Sequence, residues 1–272
     1  DTNSGGLPPK LVISDNDGIS NWPANEPSAL GGGSTAGKKY LYFYGGGNGS
    51  SNKFTKNFLA WPKDYHGGFQ HNVADTGGIN MFNQIPNTQA NQRRGTAITL
   101  EAWIYPHQSN TGENNHYLLS YGSNSENTGI FALRLQQQSS PGVQSNTGNT
   151  FGWIFEVDNN NHNFATGQSF NQWYHVALVW TGSLGNGAEW RLFINGNRDT
   201  TQSTVYQTTG NLFRSGVLSL GSDYLRSGSD FNGYSTSPNN AHNFHGIVRN
   251  FRVEHRAKYW DSNFTPADFS LK

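Results

Sequence analysis

Residues 173–180 read Trp-Tyr-His-Val-Ala-Leu-Val-Trp, and residues 190–197 read Trp-Arg-Leu-Phe-Ile-Asn-Gly-Asn. Both runs have the alternating apolar pattern of β-strands, and Asn195-Gly196 is the strongest short-range signal for a tight hairpin turn. Downstream, Val217-Leu218-Ser219-Leu220-Gly221 and Phe244-His245-Gly246-Ile247-Val248-Arg249-Asn250-Phe251-Arg252-Val253 repeat the pattern. Lys258-Tyr259-Trp260 and Asn263-Phe264-Thr265-Pro266 follow near the end of the chain. Upstream, short apolar runs between turn-rich stretches predict strands at 11–14, 39–44, 78–82, 98–105, 117–121, 130–136 and 151–158. The later strands are expected at 173–181, 189–195, 217–221 and 247–255, with one helical turn at 257–261. Helical periodicity is otherwise nearly absent. The pattern is that of an all-β sandwich or jelly roll.

A chain of 272 residues can bury one sizeable core. Only 13% of its residues are charged, with Lys+Arg and Asp+Glu both 18. That balance offers no electrostatic footprint for nucleic acid or an anionic membrane. It also supplies little self-repulsion against assembly. Cysteine is absent, so stability has to come from packing and not from disulfides. No apolar run approaches the ~18 residues of a membrane span, so membrane insertion is not expected. A start at Asp1 suggests a trimmed or processed product.

The ordered series from Trp173 to Pro266 resembles the laminin-G-like, concanavalin A-like β-sandwich family. The Tyr259…Phe264-Thr265-Pro266 ending is most similar to members found in phage and virus surface proteins. The resemblance covers residues 68–272 and implies a jelly roll of two stacked antiparallel sheets. Residues 1–67, with glycine tracts at 31–33 and 45–47, form an N-terminal arm expected to contribute strands. The family mostly binds and rarely cuts. The resemblance therefore implies a non-enzymatic virion or appendage surface protein, used for assembly or host-glycan attachment, in an oligomer or larger assembly. A secreted bacterial carbohydrate-binding or adhesion module is the alternative, and a glycan-cleaving enzyme a more distant one. Either binding role places the protein on a virion surface or outside a cell.

Strand alternation separates two faces. Ile98, Leu100, Ala102 and Ile104 share one side of their strand, Phe131, Leu133 and Leu135 of theirs, and Phe151, Trp153, Phe155 and Val157 of theirs. Trp180, Leu192, Ile194 and Phe251 are likewise expected to point inward, each contributing about 1.5–3 kcal/mol on burial. The opposite faces mix aromatics with charge: Glu101, Trp103, Tyr105, Arg134, Glu156, Trp173 and His175. Sugars offer C–H faces that stack on indole and phenol rings, and hydroxyls that pair with carboxylate, amide and guanidinium groups. Trp103, Tyr105, Glu101, Trp173 and Arg134 are thus the candidate glycan contacts. The competing expectation is that these aromatics lie beneath the arm, which leaves the binding surface to a neighbouring subunit.

Laminarinase-type hydrolases of this fold carry Glu-x-Asp-x-x-Glu on one strand. Here Glu156 and Asp158 fill the first two places, but Asn161 holds the third. Retaining hydrolysis needs two carboxyl groups about 5–5.5 Å apart, so no catalytic residue is assigned; Asp158 reads as the opening of an Asn159–Asn161 turn. Calcium is the cofactor that the resemblance implies, with Asp223, Asp230 and Asp75 as loop ligands. Asp15-Asn16-Asp17-Gly18 lacks the remainder of a calcium-loop pattern. His242-x-x-His245 has no third ligand nearby in sequence, and no Gly-x-Ser-x-Gly nucleophile elbow occurs.

Overall fold

The computed structural model describes residues 10–13, 19, 21–44, 59–61, 97–108, 115–123, 128–138, 148–157, 160–181, 189–201, 205–206, 217–221, 243–254, 256–259 and 262–266. Among these, two antiparallel sheets account for nearly all regular structure. The first consists of β1 (Lys10–Ile13), β2 (Lys39–Tyr44), β4 (Ile98–Pro106), β10 (Tyr174–Trp180), β11 (Glu189–Ile194), β12 (Asn197–Arg198), β13 (Val205–Tyr206) and β15 (His245–Glu254). Its order is β1-β2-β15-β4-β10-β11-β12, with β13 also on β11. The second contains β3 (Leu59–Trp61), β5 (Asn115–Ser123), β6 (Thr128–Gln137), β7 (Thr150–Val157), β8 (Asn160–Asn163), β9 (Gln168–Ser169) and β14 (Val217–Leu220). It runs β3-β14-β5-β6-β7-β8, with β9 on β7.

The two sheets close on a core built from the alternation read in the sequence. Ile98, Leu100, Ala102 and Ile104 meet Phe131, Leu133, Leu135, Trp153 and Phe155 in one cluster with Trp180, Trp190 and Leu192. Trp190 lies 4.9 Å from the Phe131 ring and 5.0 Å from Phe155, an arrangement that adds ring–ring attraction to simple burial. Trp180 and Leu192 are fully buried. Ile194 and Phe251 pack against the same cluster but stay half-buried.

Asn195 and Gly196 have φ of 52° and 79°, the left-handed pair that a primed turn demands. The glycine run at 31–33 follows a single 3₁₀ turn, Ser28–Leu30. It is held by Glu26 N–H donating to Gly33 O at 2.9 Å and Lys38 Nζ to Gly32 O at 3.0 Å.

Several expectations need correction. Residues 257–259 carry no helical turn; they run across the first sheet, where Tyr259 and Phe264 stack at 3.4 Å beside Phe193. Asn160 and Asn161 lie in β8 and are not turn residues, because register with Val157 and Glu156 draws them into the ladder. The strand expected at 78–82 falls outside the described residues. The short strands β3, β8, β9, β12 and β13 are additions.

Candidate functional site

Glu101 and Trp103 stand on the outward face of β4, opposite Ala177 and His175 of β10. Tyr105 continues that row opposite Ile247 of β15. Trp173 joins them just before β10, its ring 5.3 Å from Tyr105. The structure thus brings together four of the five expected glycan contacts. It also covers them. Glu101, Trp103 and Tyr105 are only 2%, 5% and 7% exposed, and Trp173 is half-buried.

Two segments of the chain provide the cover. On one side, Trp22 and Tyr40 extend the aromatic cluster: Trp22 lies 5.4 Å from Tyr40, and Tyr40 6.2 Å from Trp173. Trp173 Nε1–H donates to Asn25 O at 3.0 Å. Glu26, buried itself, accepts from Lys38 Nζ and Tyr40 Oη, both at 2.6 Å, and pairs with Arg249 of β15. On the other side, Lys258 Nζ reaches Glu101 Oε1 at 2.5 Å and Tyr259 Oη donates to Oε2 at 2.7 Å. His175 Nε2 lies 3.4 Å from the same carboxylate. Burial pushes the Glu101 carboxyl up, but hydrogen bonds from His175, Lys258 and Tyr259, with the Lys258 charge, prevail and hold it at about 2. The aromatic groove expected over Glu101, Trp103, Tyr105 and Trp173 is therefore filled by the chain, because rings this large gain more from burial than from water contact.

Substituting Trp173 by Phe tests how tightly the 21–44 segment is held. The ring contact survives while the bond to Asn25 O is lost. Equilibrium denaturation should report a loss of about 1 kcal/mol. Unchanged stability would mean that this bond contributes nothing.

Arg134 lies elsewhere, on the outer face of the second sheet. Its Nε donates to Glu156 Oε1 at 2.6 Å, and its Nη1 to Asn115 Oδ1. Tyr117 Oη donates to the same carboxylate at 3.1 and 3.2 Å. Arg134, Glu156 and Tyr117 are all buried. Around them Gln136, Asn161 and Asn163 are exposed. Asn161 opposes Glu156, and Asn163 opposes Ile154, across the β7–β8 pair, so these amides share one face with Arg134. The Glu156-to-Asn161 spacing thus spans a change of direction instead of one continuous strand. Glu156's ladder partners, Ala132 and Asn161, are not acidic. This amide face was not singled out in the sequence. The pairing of Asn161 with Glu156 depends on β8, whose Asn-Asn-His-Asn has little strand propensity of its own.

Asp75, Asp223 and Asp230 lie outside the described residues, as does His242. No cluster of three or more His, Cys, Asp or Glu side chains suited to a metal occurs among the described residues, and none of their helices is long and apolar enough to cross a membrane.

A family model described as the concanavalin A-like lectin/glucanases superfamily matches residues 77–260. The chain belongs to that superfamily. No curated protein matches the chain. Among solved structures, Trypanosoma rangeli sialidase with the inhibitor DANA is similar at 14% identity and a TM-score of 0.38, over 60% of this chain and 21% of that one. An alginate lyase from Pseudomonas aeruginosa is similar at 11% identity and a TM-score of 0.39, over 59% of this chain and 65% of that one. The CBM40 of Ruminococcus gnavus IT-sialidase, bound to α2,3 sialyllactose, is similar at 15% identity and a TM-score of 0.39, covering 61% and 79%. The chain therefore spans about a fifth of that sialidase and under two thirds of that lyase.

Proposed function

We propose that this superfamily member is a non-catalytic glycan-binding module acting on a virion surface or outside a cell. Its contact face is the outer side of β6, β7 and β8. The observation that carries this reading is the ring of exposed amides, Gln136, Asn161 and Asn163, on one face with the buried Arg134–Glu156–Tyr117 network. A side-chain amide offers a donor and an acceptor in one group, which matches a sugar hydroxyl without needing charge. The network beneath holds its polar groups in hydrogen bonds, so the floor is rigid. Glu156 is bound by a cation and a phenol. That arrangement suits a structural carboxylate better than a nucleophile, which would need a second carboxyl nearby.

A glycan array probed with wild type and with a Gln136→Ala, Asn161→Ala double variant tests this. Both residues are exposed, so the fold should survive while ligand signal falls. Retained binding would remove the site. Release of reducing sugar by wild type, abolished in Glu156→Gln, would replace the binding module by an enzyme.

The assembly reading draws support from the first sheet, whose aromatic face is occupied by the chain's own segments. A binding-deficient double variant that still forms oligomers in solution would favour it.

A further inference from the structure

At the β2, β15 and β4 corner of the first sheet, three chemically distinctive side chains converge. Tyr42 Oη lies 3.1 Å from His107 Nδ1 and 3.0 Å from His245 Nε2. The two imidazole centroids are 5.3 Å apart. The backbone fixes this meeting: His107 N–H donates to His245 O at 2.9 Å, and Tyr42 opposes Ile247 across β2 and β15. Gly246 lets the strands approach, since a Cβ there would sit 2.3 Å from Tyr105 O. His107 is buried, and His245 is half-buried.

The hydrogen-bond bookkeeping defines where lone pairs stand. His245 also bonds to the Gln108 backbone in a way that favours the protonated ring, so its imidazole is the donor there. With Nε2 directed at Tyr42, the donor is Nδ1–H, and Nε2 carries a lone pair. A His whose other ring nitrogen donates to a backbone carbonyl is oriented as metal-bound imidazoles are. Tyr42 has one proton and gives it to His245. Its contact with His107 is then attractive only when His107 Nδ1 bears hydrogen. That leaves His107 Nε2 as a bare lone pair, buried and without a hydrogen-bond partner.

We propose that Tyr42, His107 and His245 form a binding site for a divalent transition metal, with Cu(II) the preferred ion. At metal–donor bonds of about 2.0–2.1 Å, donors separated by 3.0 and 3.1 Å subtend roughly 95° at the metal. That angle suits the square or tetragonal N,O environment of Cu(II) better than tetrahedral zinc. His245 Nε2, His107 Nδ1 and the Tyr42 phenolate occupy three positions, and water takes the fourth. On binding, the phenol proton leaves to solvent and the His107 proton moves from Nδ1 to Nε2, so one proton is released per ion.

The test titrates Cu(II) into the wild-type protein and into Tyr42→Phe and His245→Ala variants. Visible absorption, calorimetry in two buffers of different ionisation enthalpy, and melting temperature are the readouts. Wild type should bind one equivalent with a phenolate-to-copper charge-transfer band, release one proton, and melt at higher temperature. Tyr42→Phe keeps both imidazoles and the ring packing, so it should fold, lose the band and bind at least about tenfold more weakly. His245→Ala should lose the site as well. A folded Tyr42→Phe protein that binds copper with wild-type affinity would overturn the site, as would a wild type showing no phenolate band; either result would leave a hydrogen-bond network only.

Discussion

Replacing Gly196 by valine should lower the melting temperature by about 10 °C or more, since each kcal/mol is worth roughly 2–4 °C in a domain of this size. Two separate costs add there. Residue 196 sits at φ 79°, where a β-branched side chain is strained by about 1–3 kcal/mol. In addition, a Cβ would lie 1.8 Å from Phe264 O, so Phe264 has to withdraw. Withdrawal breaks the bond from Phe264 N–H to Gly196 O, now 2.8 Å. It also lifts a ring that packs on Phe193 at 5.5 Å and stacks on Tyr259. Gly37 separates the two costs. Its φ is 71°, yet nothing lies within 4 Å of a Cβ built there. Gly37→Val should therefore show the strain alone. Equal melting temperatures for the two variants would mean that the contact with Phe264 carries no weight.

Acid should unfold this protein partly through Glu101. In the folded chain that carboxyl titrates at about 2, against 4.5 for an unperturbed one. A depressed carboxylate contributes stability that is fully present above 4.5 and disappears as pH falls towards 2. The difference corresponds to about 3 kcal/mol. The raised affinity of Lys258 for its proton, in which burial is outweighed by the hydrogen bonds it donates to Glu101 and Glu254, is the same attraction seen from its partner and is counted once. Unfolding free energies measured at pH 7 and at intervals down to pH 2 should fall more steeply for wild type than for Glu101→Gln. Parallel curves would show that Glu101 gains nothing from Lys258, Tyr259 and His175.

The core was legible because its strands are long and alternate cleanly. Ile98 to Ile104 and Phe151 to Val157 place every second side chain in one cluster, and Asn195-Gly196 announces its turn. What alternation leaves open is whether an outward face meets water. Trp103 and Arg134 both point away from the core as expected, yet each is 5% exposed. Tyr105, on the same face as Trp103, packs with Tyr40, Tyr42 and Ile247 through pairings that no local pattern encodes, such as that of β2 with β15. Arg134 faces outward from the other sheet, a separation that only sheet order reveals. The Tyr42–His107–His245 corner was hidden for the same reason: its members come from β2, from β15 and from the residue just past β4. Tyr40 and Tyr42 at alternate positions hinted at an aromatic face, but nothing local joined them to either histidine. Strand β8 was missed because its neighbour β7 supplies the register that Asn-Asn-His-Asn does not.

The pairing of β2 with β15 has a consequence for how the molecule is made. Tyr42 and His245 are separated by 203 residues of chain. A ribosome adding roughly 5–20 residues per second needs about ten to forty seconds to cover that distance. Throughout that interval Lys39-Tyr-Leu-Tyr-Phe-Tyr44 has been synthesised while the strand that completes its ladder has not. The segment has no proline and high strand propensity, the makings of a sticky edge. Solubility during synthesis is thus set by a waiting time, and the aromatic strand that anchors the finished sheet is also the stretch most in need of shelter before the chain is complete.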